Sequence, residues 1–204
     1  MQRETARRSN RDRTEATRAD LIAAARKLFI EKSYAETGTP EIVAAAGVTR
    51  GALYHHFADK QALFAAVVEQ EAETVATEVD RASPPSLFAR DALVAGSDAY
   101  LAAMRLPGRT RLLLLDGPAV LGRAAMDAID DRNGNRSLRE GLVAAMREQS
   151  MTRLPADALT ALLAAAFDRA ALAVEAGASA EDYRVVLMAL IDGLAPRQAP
   201  ARTR

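Results

Sequence analysis

Apolar residues return every three to four positions along most of the chain, the spacing of one face of an α-helix. Leu21, Ile22, Ala25, Leu28 and Phe29 set the first such stripe and predict an amphipathic helix over residues 15–32. Thr39-Pro40-Glu41 then reads as a helix start, with a capping hydroxyl, a proline suited to the first turn and an acid near the positive end. That helix is short and ends at Ala46, with Gly47 as its left-handed stop. Thr49 offers a cap for a second short helix that turns Leu53 and Phe57 inward. Asp59 caps a longer one carrying Leu63, Phe64, Val67, Val68, Val75 and Val79.

The sequence SPPS at residues 83–86 interrupts the pattern and marks a hinge between subregions. A helix follows over residues 87–104, stopped near Pro107-Gly108, and then a short buried helix in "RTRLLLLDGPAVLG", broken at Gly117-Pro118. Further helices are expected over residues 119–132, 137–149, 156–176 and 180–194, with a frayed tail over 196–204. No strand-like alternation of useful length and no internal repeat occurs, so the expected class is all-α. In the helix over 156–176, Leu159, Leu162, Leu163, Ala166, Ala170 and Ala173 form one stripe, widened by Phe167 and Leu172. In the last helix Tyr183, Val186, Leu187, Leu190 and Leu194 share a face, yet Val185, Met188 and Ile191 are apolar too. A helix apolar on most sides needs partners on more than one side. The pattern leaves two readings open: a central core helix in a monomer, or a helix pair packed against its copy.

Composition narrows the class. Half of the 204 residues are apolar and about a quarter are charged, enough for a soluble helical protein with a sizeable core. No apolar run reaches the ~18 residues of a membrane span, and the first twenty residues lack the apolar centre of a secretory signal. The chain has no cysteine, which removes disulfides and thiolate ligands, and the expected location is the cytoplasm. Net charge is zero but uneven: residues 1–60 hold 11 basic and 8 acidic groups, the remainder 16 and 19. Residues 1–14 read as a flexible basic arm, and Arg3, Arg7, Arg8, Arg11, Arg13 and Arg18 give the N-terminal segment its charge. Such arms either meet nucleic acid or remain solvated tails.

The stretch "GVTRGALYHHF" at residues 47–57 concentrates the chain's unusual chemistry, including its only two histidines. His55 and His56 are neighbours, so on a helix they diverge by roughly 100° and do not converge on one ion. No third histidine, no cysteine and no HExxH spacing supports them. No nucleophile elbow or phosphate-cradling glycine loop is present either. The sequence therefore predicts no metal, no cofactor and no enzymatic activity.

Two short helices joined by a tight glycine-containing turn make a helix-turn-helix. Ile42, Val43, Ala46, Val48, Leu53 and Phe57 can form its core against Leu28 and Phe29. Thr49, Arg50, Gly51, Ala52, Tyr54 and His55 then face outward. Gly51 and Ala52 permit close approach to base edges, and the alanine can meet a thymine methyl. Arg50 can make two hydrogen bonds to guanine, while Tyr54 and the imidazoles can donate to phosphates. A plain helical hairpin with a wet polar face would not account for a tyrosine and two histidines beside small residues.

The segment "TGTPEIVAAAGVTRGALYHHFADKQALF", residues 37–64, closely resembles the DNA-binding region of TetR-family transcriptional regulators. The small-residue second helix, the AGV turn, the G-x-LY-x-HF helix and the following D-K-x-x-L all occur in order, and the match covers residues 15–74. "LLLLDGPAVLG", residues 112–122, is also similar to a segment in the ligand-binding halves of some members. The resemblance implies an N-terminal three-helix domain over 15–74, its helix-turn-helix at about 38–57. A larger helical effector-binding and dimerisation domain would occupy 75–195.

By the same resemblance Thr39 and Lys60 would touch phosphates. Thr49, Arg50, Gly51 and Ala52 would enter the major groove, with Tyr54, His55 and His56 on the backbone or nearby bases. Two departures stand out. Ser33 replaces the usual glycine after the first helix, and Pro40 occupies a position that carries a longer reading side chain in some relatives. Specificity should therefore rest on the third helix. The last two long helices, about 156–195, would form a homodimer interface. A pocket between the fourth helix and the following four would take a small-molecule effector, with Phe88, Tyr100, Met104 and Leu113 as candidate lining. Few aromatics and no tryptophan predict an aliphatic pocket. The implied function is a homodimeric repressor released from a roughly palindromic double-stranded DNA operator by an effector. Two alternatives remain at this point. One is a helical small-molecule-binding protein or enzyme with a vestigial DNA-binding head, its best feature a buried charge such as Asp116 beside Arg111. The other is a DNA-binding protein without an effector.

Overall fold

Ten α-helices and one π-helical turn make up the regular structure of residues 2–196, the stretch that the computed structural model describes, with side chains from residue 12 onward. No strand forms among the described residues. The first helix, α1, runs Gln2–Lys32 and so includes the segment expected to be a flexible arm. Residues 2–14 contain neither glycine nor proline, and five of them are Arg, a good helix former. Nothing in that stretch stops the helix propagating backward from its apolar half. The tail beyond Pro196 lies outside the described residues.

The helix ends at Ser33, whose φ of +87° puts a residue with a Cβ in the left-handed region. The turn is tied down by Thr37, which is buried and whose Oγ1 donates to Ser33 O at 2.7 Å and Leu28 O at 3.2 Å. Then follow α2 (Thr39–Ala45), α3 (Arg50–His56) and the long α4 (Lys60–Ala82). Asp59 caps α4 as its position predicts, Oδ1 accepting from Ala62 N–H at 2.7 Å.

Two compact units divide the chain. The first comprises residues up to Glu71 together with Arg111–Met126; the second comprises Ala72–Thr110 and the chain from Asp127 onward. The division thus falls inside α4, three residues before the boundary that the resemblance implies. The leucine-rich segment joins the first unit, where a domain boundary near 74 would not put it.

In the first unit Leu21, Ile22, Ala25 and Phe29 of α1 pack with Ile42, Leu53, Phe57, Leu63, Phe64, Val67 and Val68. Phe29, Tyr34 and Phe64 form an aromatic cluster with ring centroids 5.0–5.7 Å apart, in the tilted and edge-on arrangements that aromatic quadrupoles favour. Glu71, buried, accepts two hydrogen bonds from Arg26 at 2.7 and 3.1 Å and so enters the core with its charge matched.

The segment after Thr110 departs from expectation. A π-helical turn at Arg111–Asp116 runs directly into α6 (Gly117–Leu121), so Gly117-Pro118 does not break the helix. Pro118 falls in the first turn of α6, where a missing N–H costs little. Gly117 is required by space: a Cβ there would lie 2.9 Å from Leu112 O and from Met126 Sδ. The π turn packs against α1, and Gln61 Nε2 donates to Val120 O at 2.7 Å. Asp116 Oδ2 has no hydrogen-bond partner but lies 3.2 Å from Arg111 Nε, so its charge is compensated within the turn.

The second unit contains α5 (Ala89–Met104), most of α7 (Arg123–Arg132), α8 (Gly134–Arg147), α9 (Ala156–Glu175) and α10 (Ala180–Asp192). Its core gathers Leu93, Leu142, Met146, Leu163, Phe167, Ala170, Leu187 and Ile191, among others. The two-sided apolar pattern of α9 and α10 now has a physical reading. Leu163, Phe167, Leu187 and Ile191 point into this core, whereas Leu162 is 72% exposed and Val185, Val186 and Leu190 stay largely uncovered.

Candidate nucleic-acid interface

The helix-turn-helix is assembled by local capping. Gly38, one residue earlier than the threonine expected to cap α2, is its N-cap, and Thr39 is the first helical residue. Glu41, three residues into the helix, accepts from the Gly38 amide at 3.4 Å through one oxygen and from Lys32 Nζ at 2.7 Å through the other. The Lys32 hydrogen bond, then the Gly38 amide, hold the Glu41 carboxyl below its ordinary pKa. The turn closes with Ala46 N–H on Ile42 O at 2.9 Å and Val48 N–H on Val43 O at 3.0 Å. Gly47 takes φ +66°, and the space around it is open, so it is conformation and not room that requires glycine. Thr49 caps α3 as its position predicts, Oγ1 accepting from Ala52 N–H at 3.2 Å.

This frame buries Leu53 and Phe57 and leaves Thr49, Arg50, Gly51, Tyr54 and His55 exposed, with Ala52 and His56 half-buried. The Arg50 guanidinium lies 5.5 Å from the Tyr54 ring centroid, one helical turn on. Thr39 first and then Arg50, acting on the Tyr54 oxygen, hold the phenol below its ordinary pKa. The structure therefore brings Thr39 of α2 together with Arg50 and Tyr54 of α3. The His55 and His56 rings stand nearly perpendicular, centroids 5.3 Å apart. Burial, then the charges of His55 and Arg18, keep His56 below its ordinary value. No group of three or more His, Asp or Glu that could hold a metal ion gathers among the described residues.

Lys60 stands apart from this surface. Its Nζ donates to Tyr34 O at 2.9 Å and Thr37 O at 3.0 Å and lies 4.2 Å from the Tyr34 ring centroid. The resemblance implies a phosphate contact, but the ammonium is turned inward to carbonyls left free where α1 ends. Charge on the sequence does not reveal this. The signal would have been the turn at residues 33–38, anchored by buried Thr37, whose carbonyls need donors.

The candidate effector residues have dissimilar surroundings. Phe88, the N-cap of α5, is 80% exposed. Tyr100 donates to Asp168 Oδ1 at 2.6 Å and sets its ring edge-on to Phe167 at 5.7 Å. Burial first, then that hydrogen bond in opposition, leaves Asp168 above its ordinary pKa. Met104 and Leu113 are buried, and Leu113 belongs to the first unit. A groove of about 530 Å³ does occur in the second unit, lined by Glu73, Thr74, Thr77, Glu78, Arg81, Ala99 and Ala102. Five of its seven lining residues are polar or charged, while the large apolar side chains of α5, α8 and α9 pack the core of the unit. No helix among the described residues is long and apolar enough to cross a membrane.

Two family models match the chain. That of the bacterial regulatory proteins of the tetR family covers residues 21–67, and that of the tetracyclin repressor-like C-terminal domain covers residues 90–195. The HTH-type transcriptional activator FasR of Mycolicibacterium smegmatis is 32% identical over 94 residues, 46% of this chain and 43% of that protein. The HTH-type transcriptional regulator AcrR of Shigella flexneri is 40% identical over 62 residues, 30% of this chain and 29% of that protein. The matched segments thus span less than half of these relatives. Among solved structures, a TetR-family transcriptional regulator from Pectobacterium atrosepticum superposes with a TM-score of 0.73 at 32% identity, covering 93% of this chain and 99% of that one. The reduced form of E. coli NemR shares the fold, with a TM-score of 0.71 at 21% identity over 90% of this chain and all of that one. With its capped helix-turn-helix and its second helical unit, the chain belongs to the tetR family of bacterial regulatory proteins.

Proposed function

We propose that this protein is a non-enzymatic, homodimeric transcriptional repressor of the bacterial cytoplasm, released from a roughly palindromic operator by a small-molecule effector. The observation that carries the reading is the exposed face of α3. Thr49, Arg50, Gly51 and Ala52 lie at its N-terminal end, small except for one guanidinium, and Arg50 is steadied along the Tyr54 ring. That is the shape of a helix end entering a major groove, with Arg50 free to pair with guanine and Tyr54, His55, His56 and Thr39 beside the phosphates.

The dimer is supported by the uncovered apolar faces of α9 and α10, which a second copy would bury as a four-helix interface. A two-fold dimer carries one α3 to each half-site, which is why the operator should be palindromic. An effector that binds better to the form with its two heads splayed weakens DNA binding by the same free energy. The test is a footprint on DNA flanking the gene, repeated with extracted metabolites. A two-fold protected site that clears when metabolites are added supports the reading; no protected site contradicts it.

A further inference from the structure

Fixed positive charge is scarce around α3. Arg50 is the one permanently charged side chain of that helix. Lys60 is committed to two carbonyls, Lys32 to Glu41 and Arg26 to Glu71. Double-stranded DNA carries one negative charge per about 1.7 Å of axis, and phosphate neutralisation supplies much of the affinity of any complex with it. A helix with one guanidinium needs cations from its surroundings.

Arg18 of α1 has the required properties. It is exposed, and its guanidinium carbon lies 5.3 Å from the centroid of the Phe57 ring, the residue on which α3 ends. Among the described residues it makes no ion pair and no hydrogen bond, so its five N–H donors have no protein acceptor. Stacking on an aromatic face orients a guanidinium without using those donors. A long side chain is thereby held beside the C-terminal end of α3, next to His56, at reduced entropic cost.

We propose that Arg18 is a phosphate-contacting residue, its guanidinium stacked on Phe57 and bonded to an operator backbone phosphate flanking the groove that α3 enters. The proposal rests on the DNA-binding reading above. It moves the phosphate role that sequence resemblance gives to Lys60 onto a residue of the first helix. The competing role is a purely structural one, with Arg18 merely pinning α1 to the end of α3.

Salt dependence separates the two roles. Operator and non-operator duplex binding by the full chain would be measured across a range of salt for wild type, Arg18→Ala and Arg18→Lys, with thermal melting of each protein alone. Loss of one phosphate contact from each protomer of the dimer should lower the slope of log K against log salt by about 1.8, on both duplexes alike. Arg18→Lys should restore that slope. An unchanged slope in Arg18→Ala overturns the proposal, even if affinity or melting temperature falls, because a structural pin leaves the number of released counterions untouched. If Arg18→Ala does not fold, Arg18→Gln keeps the stem over Phe57 without the charge and is read the same way. Wild-type protein with no salt-steep operator binding sinks the DNA-binding reading itself, an outcome distinct from a steep wild type with an indifferent Arg18.

Discussion

Ser33 and Lys60 show what single residues contribute and how much of it the sequence reveals. Ser33 sits at φ +87°, and its hydroxyl accepts a long hydrogen bond, 3.4 Å, from the Glu36 amide. Ser33→Gly relieves the left-handed penalty at the expense of a more flexible unfolded chain. We expect a net gain of about 0.5–1 kcal/mol, read from the urea midpoint at unchanged slope. Lys60→Met should do the reverse. Removing two charge-assisted hydrogen bonds should cost about 1.5–3 kcal/mol of stability while leaving the salt slope of DNA binding unchanged. A lower slope in Lys60→Met would return the residue to the phosphate backbone. The caps Thr49 and Asp59 were legible because a cap is decided within three or four residues. The fate of Lys60 was not, because its acceptors lie 23 and 26 residues upstream and meet it only once the unit has folded.

At the scale of elements, α3 carries a pH dependence. His56 is held below the ordinary histidine value of 6.5, chiefly by burial. The unfolded chain then binds more protons than the folded one in the window below that value, so stability rises with pH there. The protein should be stable at pH 7.5 and lose stability as the pH falls through about 6.5. His56→Asn should flatten that part of the profile in denaturation series at pH 7.5, 6.5 and 5.5. A profile identical to wild type would remove His56 as the cause. Element boundaries were legible where a glycine or a capping hydroxyl forces them, as at Gly47 and Thr49. They were misread at Gly117-Pro118, since proline in a first turn starts a helix as readily as it ends one. The N-terminal arm was misread for the opposite reason: charge suggested disorder, but helix formers without a breaker extend α1 to Gln2.

For the whole molecule, the order of the helices and the all-α class followed from periodicity. The lining of a pocket is not legible in the same way, because size and apolarity do not separate a lining residue from a core residue. Phe88 is on the surface, Met104 and Leu113 are packed, and Tyr100 is tied to Asp168. The pattern on α9 and α10 did foreshadow a second face, and the uncovered side of Leu162 makes it testable. Leu162→Glu should convert dimer to monomer in sedimentation velocity and weaken operator binding, while circular dichroism stays helical. A dimer that persists would put the interface elsewhere.

The central claim is that α3 reads base pairs through Arg50. It is tested most directly by titrating wild type and Arg50→Ala against the operator and against each of its single-base-pair variants. The account predicts a loss of about 1–3 kcal/mol for Arg50→Ala, with preference relaxed at one base pair in each half-site and kept elsewhere. An equal loss on every sequence would contradict it, reducing Arg50 to a phosphate contact and leaving α3 without a reading side chain.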